Sequence, residues 1–198
     1  MSLRKYGFTI EGTNTSPLRT HNGKLADSLN PMGIQIKAIT RKGKKKTEDD
    51  EKEARMLEAY GGMYIRAEKE IYFPGANIKA AIKDAAKRVK QGRLVEDGVQ
   101  VSDNLRFTYE GPTDPGERAR DPRYVDSCVV SVNPSTGAKG VRTRPIYNDW
   151  KVAGTIEFDD ELIDAASLKS HLEFAAFRGL AEHHGGFGRF IVTRFEEE

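Results

Sequence analysis

The chain is poor in sulfur chemistry, with one cysteine, Cys128, among 198 residues. A lone thiol excludes a disulfide framework and a zinc cluster built from thiolates, and it fits a reducing, cytoplasmic compartment. Long apolar runs are also missing. Met1 to Ile10 lacks the continuous apolar stretch of a secretory signal, and nothing approaches the roughly 20 apolar residues that span a bilayer. No membrane contact is expected. The four histidines include no HExxH pair, and the acidic run Glu48 to Glu53 lacks the glycine and terminal glutamate of a calcium loop. Neither a metal nor a cofactor is expected.

What is present is a globular balance: 37% hydrophobic and 31% charged residues, with a net charge of only +2. A near-neutral sum can hide separated fields of opposite sign, so the distribution matters more. The length suits one domain over residues 1–198, with a charged insertion at about 37–60 and a second at about 110–150.

Alternation at Tyr6, Phe8 and Ile10 predicts a first strand, followed by a polar loop from Gly12 to Pro31. Ile34 and Ile36 suggest a second short strand that leads into the basic run. Thr47, with Asp50 three residues on, has the form of a helix start, and Gly61-Gly62 of its end. Met63 to Tyr72 reads as a bent strand or strand pair. Asn77 is read as the cap of an amphipathic helix whose buried face carries Ile78, Ile82, Ala85, Ala86 and Val89. Val99–Tyr109, Tyr124–Val132, Val152–Phe158 and Phe187–Phe195 are strand-like; Gly111–Pro122 and Asn133–Pro145 read as connections. A second long helix is expected over about Ala165–Glu182, capped by Asp164 or Ser167. This order predicts an α+β, ferredoxin-like (RRM-like) antiparallel sheet with two principal helices and inserted loops or hairpins.

Three clusters carry candidate chemistry. Lys37 to Lys46 holds six cations around Gly43, among them Lys42, Lys44, Lys45 and Lys46, and reads as a mobile loop able to follow a phosphate backbone. Its neighbour, the acidic segment Glu48 to Glu53, could instead receive the basic run of a second copy, which would give a head-to-tail homo-oligomer. Arg142 and Arg144 stand near Tyr147, Trp150 and Lys151, the mixture from which base-stacking platforms are built; a tryptophan serves equally as core. Gly185, Gly186 and Gly188, followed by Arg189, could bring bare backbone amides to a phosphate, or could serve only the geometry of a helix-to-strand turn. His183 and His184 at the end of that helix, and His21 after the first strand, are the weak catalytic candidates. No motif fixes a partner for their proton transfer.

Two segments are more specific. Ile71-Tyr72-Phe73-Pro74-Gly75-Ala76-Asn77-Ile78-Lys79-Ala80-Ala81-Ile82 is a strand, a Pro-Gly turn and a helix start, and Gly185-Gly186-Phe187-Gly188-Arg189-Phe190 is a glycine-rich turn before the last strand. Together they resemble the RAMP superfamily, the RNA-binding backbone subunits of CRISPR effector complexes. Arg142 to Lys151 also looks like small stand-alone members of that fold from phages and mobile elements.

The resemblance implies a ferredoxin-like domain that binds single-stranded RNA, or single-stranded DNA, and it favours the binding role of the glycine turn. The favoured expectation is therefore a non-catalytic subunit that self-assembles along the strand. Two other functions stay open: a metal-independent endoribonuclease using His21, His183 or His184, and an assembly protein that needs no nucleic acid.

Overall fold

A computed structural model describes residues 2–133, 135, 137–181 and 186–198. Its elements run β1 (Leu3–Gly12), β2 (Leu18–Arg19), α1 (Pro31–Arg41), α2 (Glu48–Gly62), α3 (Gly75–Ala86), α4 (Gly92–Gly98), β3 (Val99–Val101), β4 (Arg106–Thr108), α5 (Pro115–Arg120), β5 (Val125–Asn133), β6 (Ala138–Tyr147), β7 (Lys151–Asp159), α6 (Ala165–Arg178) and β8 (Phe190–Glu197). They form two compact units. One gathers the stretch up to Arg19 with Tyr72–Glu110 and Tyr147–Glu198, and the other gathers Thr20–Ile71 with Gly111–Ile146.

The first unit is built on an antiparallel sheet of order β3-β7-β1-β8, with β4 also pairing β7. With α3 between β1 and β3, and α6 between β7 and β8, this is the βαββαβ order of a ferredoxin-like fold, so the expected α+β class holds. Register pairs Phe8 with Gly154 and Ile10 with Val152 on one face, and that face is buried along with Ile156 and Phe158. α3 contributes Ile78, Ile82, Ala85 and Ala86, α6 contributes Leu168, Leu172, Ala175 and Ala176, and the two helices pack on each other. Burying each large apolar side chain stabilises by about 1.5–3 kcal/mol.

Several sequence expectations change in this unit. α3 is not capped by Asn77: it starts at Gly75, whose amide donates to Asp103 Oδ1 at 3.2 Å, so the cap comes from a residue remote in sequence. Val89 lies in a 3-10 turn beyond the helix and is half exposed, because Lys90 turns left-handed at φ 63°. Val99–Tyr109 breaks into β3 and β4, and the last strand begins at Phe190 instead of Phe187.

The second unit packs α1 on α2 and α2 on α5, beside an antiparallel β5–β6 hairpin. The expected strand at Ile34 and Ile36 is helical. Asn30 caps α1 by accepting from the amides of Met32 and Gly33, Pro31 takes the first turn, and Met32, Ile36 and Ile39 recur at helical spacing. Met63 to Tyr72 reduces to a single bridge, Ile65 to Ile71, around a 3-10 turn. Asn133–Pro145, expected as a connection, is largely β6.

Candidate nucleic-acid interface

In the second unit the basic run is the end of α1 followed by a 3-10 turn, Gly43–Lys45, not a loop. The capping box expected at Thr47 is present. Asp50 Oδ2 accepts from the Thr47 amide at 3.0 Å, and the Asp50 amide donates to Thr47 Oγ1 at 3.2 Å. Lys42 Nζ lies 2.5 Å from the other Asp50 oxygen and Lys46 Nζ lies 3.9 Å from Glu51. The Lys42 ammonium and the Thr47 amide together hold the Asp50 carboxyl below its ordinary range. Basic run and acidic helix are thus partly neutralised within one chain. Lys44 and Lys45 remain exposed, with no ion pair among the described residues.

Ninety-odd residues later in sequence, β6 returns to the same place. A cleft of about 330 Å³ is lined by Ile39 and Thr40 from α1, Lys46, Glu51, Ala54, Arg55 and Glu58 on and just before α2, and Lys139, Gly140, Val141 and Arg142 from β6. The structure therefore brings Lys46 and Arg142 together. It adds Arg55 and Lys139, both exposed, which sequence reasoning missed because each stands alone in its local pattern.

The cleft wall is fixed by Glu58, which is 6% exposed. One carboxylate oxygen accepts from Arg142 Nη1 at 3.1 Å and the other from the Thr143 amide at 2.8 Å. A buried carboxylate is tolerated only with such partners. Arg142 and Arg144 are two apart on β6, so they share a face of the hairpin; Asp126 stands opposite Arg144. Both arginines are half-buried strand residues, not parts of a loop.

In the first unit, the platform expected at Trp150 is absent. Trp150 is 2% exposed and its Nε1 donates to Ser16 O at 3.2 Å. The indole packs against Gly12, where an added Cβ would collide with Nε1. Tyr147 is equally buried, and Lys151 pairs with Glu11 at 2.7 Å. The other face of the sheet carries Gly7, Thr9, Ala153 and Thr155 at its centre, with Arg194 opposite Thr9 and Arg106 opposite Ala153.

The glycine turn is explained largely by geometry. Gly188 has φ 69°, and a Cβ there would lie 2.5 Å from Leu180 O. Its amide donates to Pro17 O and its carbonyl accepts from Leu180 N, both at 2.9 Å, so this amide is not available to a phosphate. The Arg189 amide is likewise engaged by Ser16 Oγ at 2.8 Å, and Ser16 Oγ donates to Gly186 O at 2.5 Å. Ser16, which no sequence motif flagged, is buried and holds Gly186 and Arg189 through its hydroxyl and Trp150 through its carbonyl. Gly186, at φ 92°, faces open space, and the Arg189 guanidinium is exposed, 5.4 Å from the Phe177 ring. His21 is half-buried and its carbonyl accepts from the Tyr64 hydroxyl; His183, His184 and Gly185 lie outside the described residues.

Among the described residues no three histidines, cysteines or carboxylates stand where they could hold a metal ion. No helix among them is long and apolar enough to cross a membrane.

No family model matches the chain, and no curated protein does. Solved structures do. A chain in the cryo-EM structure of the Type III-B Cmr-beta complex bound to cognate target RNA superposes with a TM-score of 0.51 at 13% identity, over 98% of this chain and 60% of that one. The two chains share a fold. Cmr6 from Pyrococcus furiosus also matches, at 12% identity over 96% of this chain and 99% of its own, with a TM-score of 0.32. The chain thus spans about three fifths of the length of the Cmr-beta chain it superposes on.

Proposed function

We propose that this protein is a non-catalytic subunit that binds single-stranded nucleic acid, RNA in the first place, and assembles along it in the manner of a CRISPR effector backbone. The observation that carries this reading is the cleft in the second unit, where Lys46, Arg55, Lys139 and Arg142 converge from separate segments beside the exposed Lys44 and Lys45. Four cations around a groove floored by Ile39, Ala54 and Val141 suit a strand that offers both phosphate and base. The RAMP-like fold, shared with a chain of an RNA-bound complex, supports the choice of RNA. In this reading the chain is one RAMP-like domain, and the insertion at about 37–60 and most of the one at about 110–150 fall within the second unit.

Self-assembly is expected to depend on the strand more than on charge pairing between copies, because Lys42 and Lys46 already meet Asp50 and Glu51 in their own chain. The test is anisotropy of a labelled single-stranded RNA over a salt series. Charge reversal of Lys44, Lys45 and Lys46 together to Glu should weaken binding by roughly 10- to 1,000-fold and flatten the salt slope by about 0.7 per lost phosphate contact. Circular dichroism should be unchanged, since the three side chains are exposed. Unaltered affinity in the triple variant would remove the cleft from the interface.

A further inference from the structure

The first unit carries a second arrangement of cations and rings, on the outer side of α6. The Arg88 guanidinium carbon sits 3.7 Å from the centroid of the Phe174 ring, and Arg189 sits 5.4 Å from that of Phe177. Phe174 is half-buried, and it shares a shallow depression with Lys87, Arg88, Asp84 and Arg178. Phe177 differs: it is 70% exposed. Next to it in sequence is Arg178, also exposed, and the glycine turn brings Gly186, which faces open space, three residues before Arg189.

Single exposed apolar residues are ordinary and need no account. Phe177 is set apart by its company. An exposed ring with a guanidinium over it and open space nearby has the parts of a stacking site. An acidic protein surface would use the arginine and leave the ring idle. An apolar partner would cover the ring and strip water from the guanidinium. An unpaired nucleotide supplies a flat π-face and an anion in the same repeating unit, and it satisfies both.

We propose that Phe177, with the Arg189 guanidinium over its ring, is a stacking platform for one unpaired base, and that this guanidinium meets a neighbouring phosphate. The inference rests on the single-strand reading above and adds a contact on the sheet-bearing unit. It also relocates the aromatic component, which the chain's tryptophan cannot supply because it is buried.

The experiment compares two ligands on the full chain: a uridine oligomer and an abasic ribose-phosphate oligomer of equal length. Phe177→Ala is expected to weaken uridine-oligomer binding on the order of 10- to 100-fold and to leave abasic binding unchanged. Phe177→Trp supplies an independent readout: its emission should be quenched by the uridine oligomer and not by the abasic one, against the constant signal of Trp150. Arg189→Gln should weaken both ligands equally. The proposal is overturned if Phe177→Ala leaves uridine binding intact, lowers both affinities alike, or instead dissolves a complex between copies of the chain. If the unsubstituted protein binds neither oligomer, the single-strand reading falls as well; if it binds both and Phe177 is silent, only the platform falls.

Discussion

The two units hold themselves together differently. The sheet-bearing unit buries apolar side chains in alternation, Phe8, Ile10, Val152, Ile156 and Phe158 against α3 and α6. The other unit relies more on buried charge: Glu58 is 6% exposed and Arg118 fully buried, each anchoring separate segments through hydrogen bonds, against Arg19 at 8% in the first unit. Arg118 donates to Pro112 O at 3.2 Å and Ile146 O at 2.8 Å, and lies 4.6 Å from the Tyr124 ring. The lesson is a division of labour. Apolar burial is non-directional and yields a frame tolerant of local change, whereas buried ions demand fixed geometry and so define where nearby cations point.

The largest expected effect breaks the frame. Trp150→Ala removes a buried indole and its bond to Ser16, and should destabilise by about 3–5 kcal/mol in urea unfolding. A loss under about 1 kcal/mol would mean that the indole is not part of the core. The next effect tests buried charge. Glu58→Ala strands the Thr143 amide and frees Arg142, with an expected loss of about 2–4 kcal/mol. Replacing both Glu58 and Arg142 by Met should recover part of that loss, and a double-mutant cycle should give a coupling of about 0.5–3 kcal/mol. Additive losses would show that the pair holds nothing.

The same contrast explains how much could be read from the sequence. Phe8-x-Ile10 and Ile78-x-x-x-Ile82 report burial through their spacing, so β1 and α3 were legible, and Thr47 with Asp50 announced α2 through local hydrogen bonding. α1 is hard to see locally because Ile34-x-Ile36 alternates for two residues only, while the stronger signal, Asn30-Pro31 ahead of Met32, Ile36 and Ile39, spans a longer window. β6 looks like a connection in the sequence because Gly140 and Pro145 resemble breakers, and its pairing with β5 is not a local property. Glu58 resembles every other acid of a charged helix, and only the return of β6 makes it a buried ligand for Arg142. Of the candidate interface, Lys46 and Arg142 were named, but nothing local joins them or reveals Arg55 and Lys139.

The smallest effect sharpens the comparison at low pH. Asp121, in the second unit, is pushed down to about 2 from an ordinary 3.8, first by hydrogen bonds from the Arg123 guanidinium and then by the Arg123 amide. Asp164, which caps α6 in the first unit, is also held low, but by hydrogen bonds from the neutral amide and hydroxyl of Ser167. Both are carboxylates depressed in the folded state. Their contribution to stability is therefore complete above the ordinary carboxylate range and is lost as pH falls through the lower, folded value. Salt separates them. At about 1 M ionic strength charges are screened within roughly 3 Å, so a carboxyl NMR titration should show the Asp121 midpoint climbing toward its ordinary value. The Asp164 midpoint, set by short bonds to neutral donors, should stay where it is. Equal movement of both would erase the distinction between a unit organised by ions and one organised by packing and backbone hydrogen bonds.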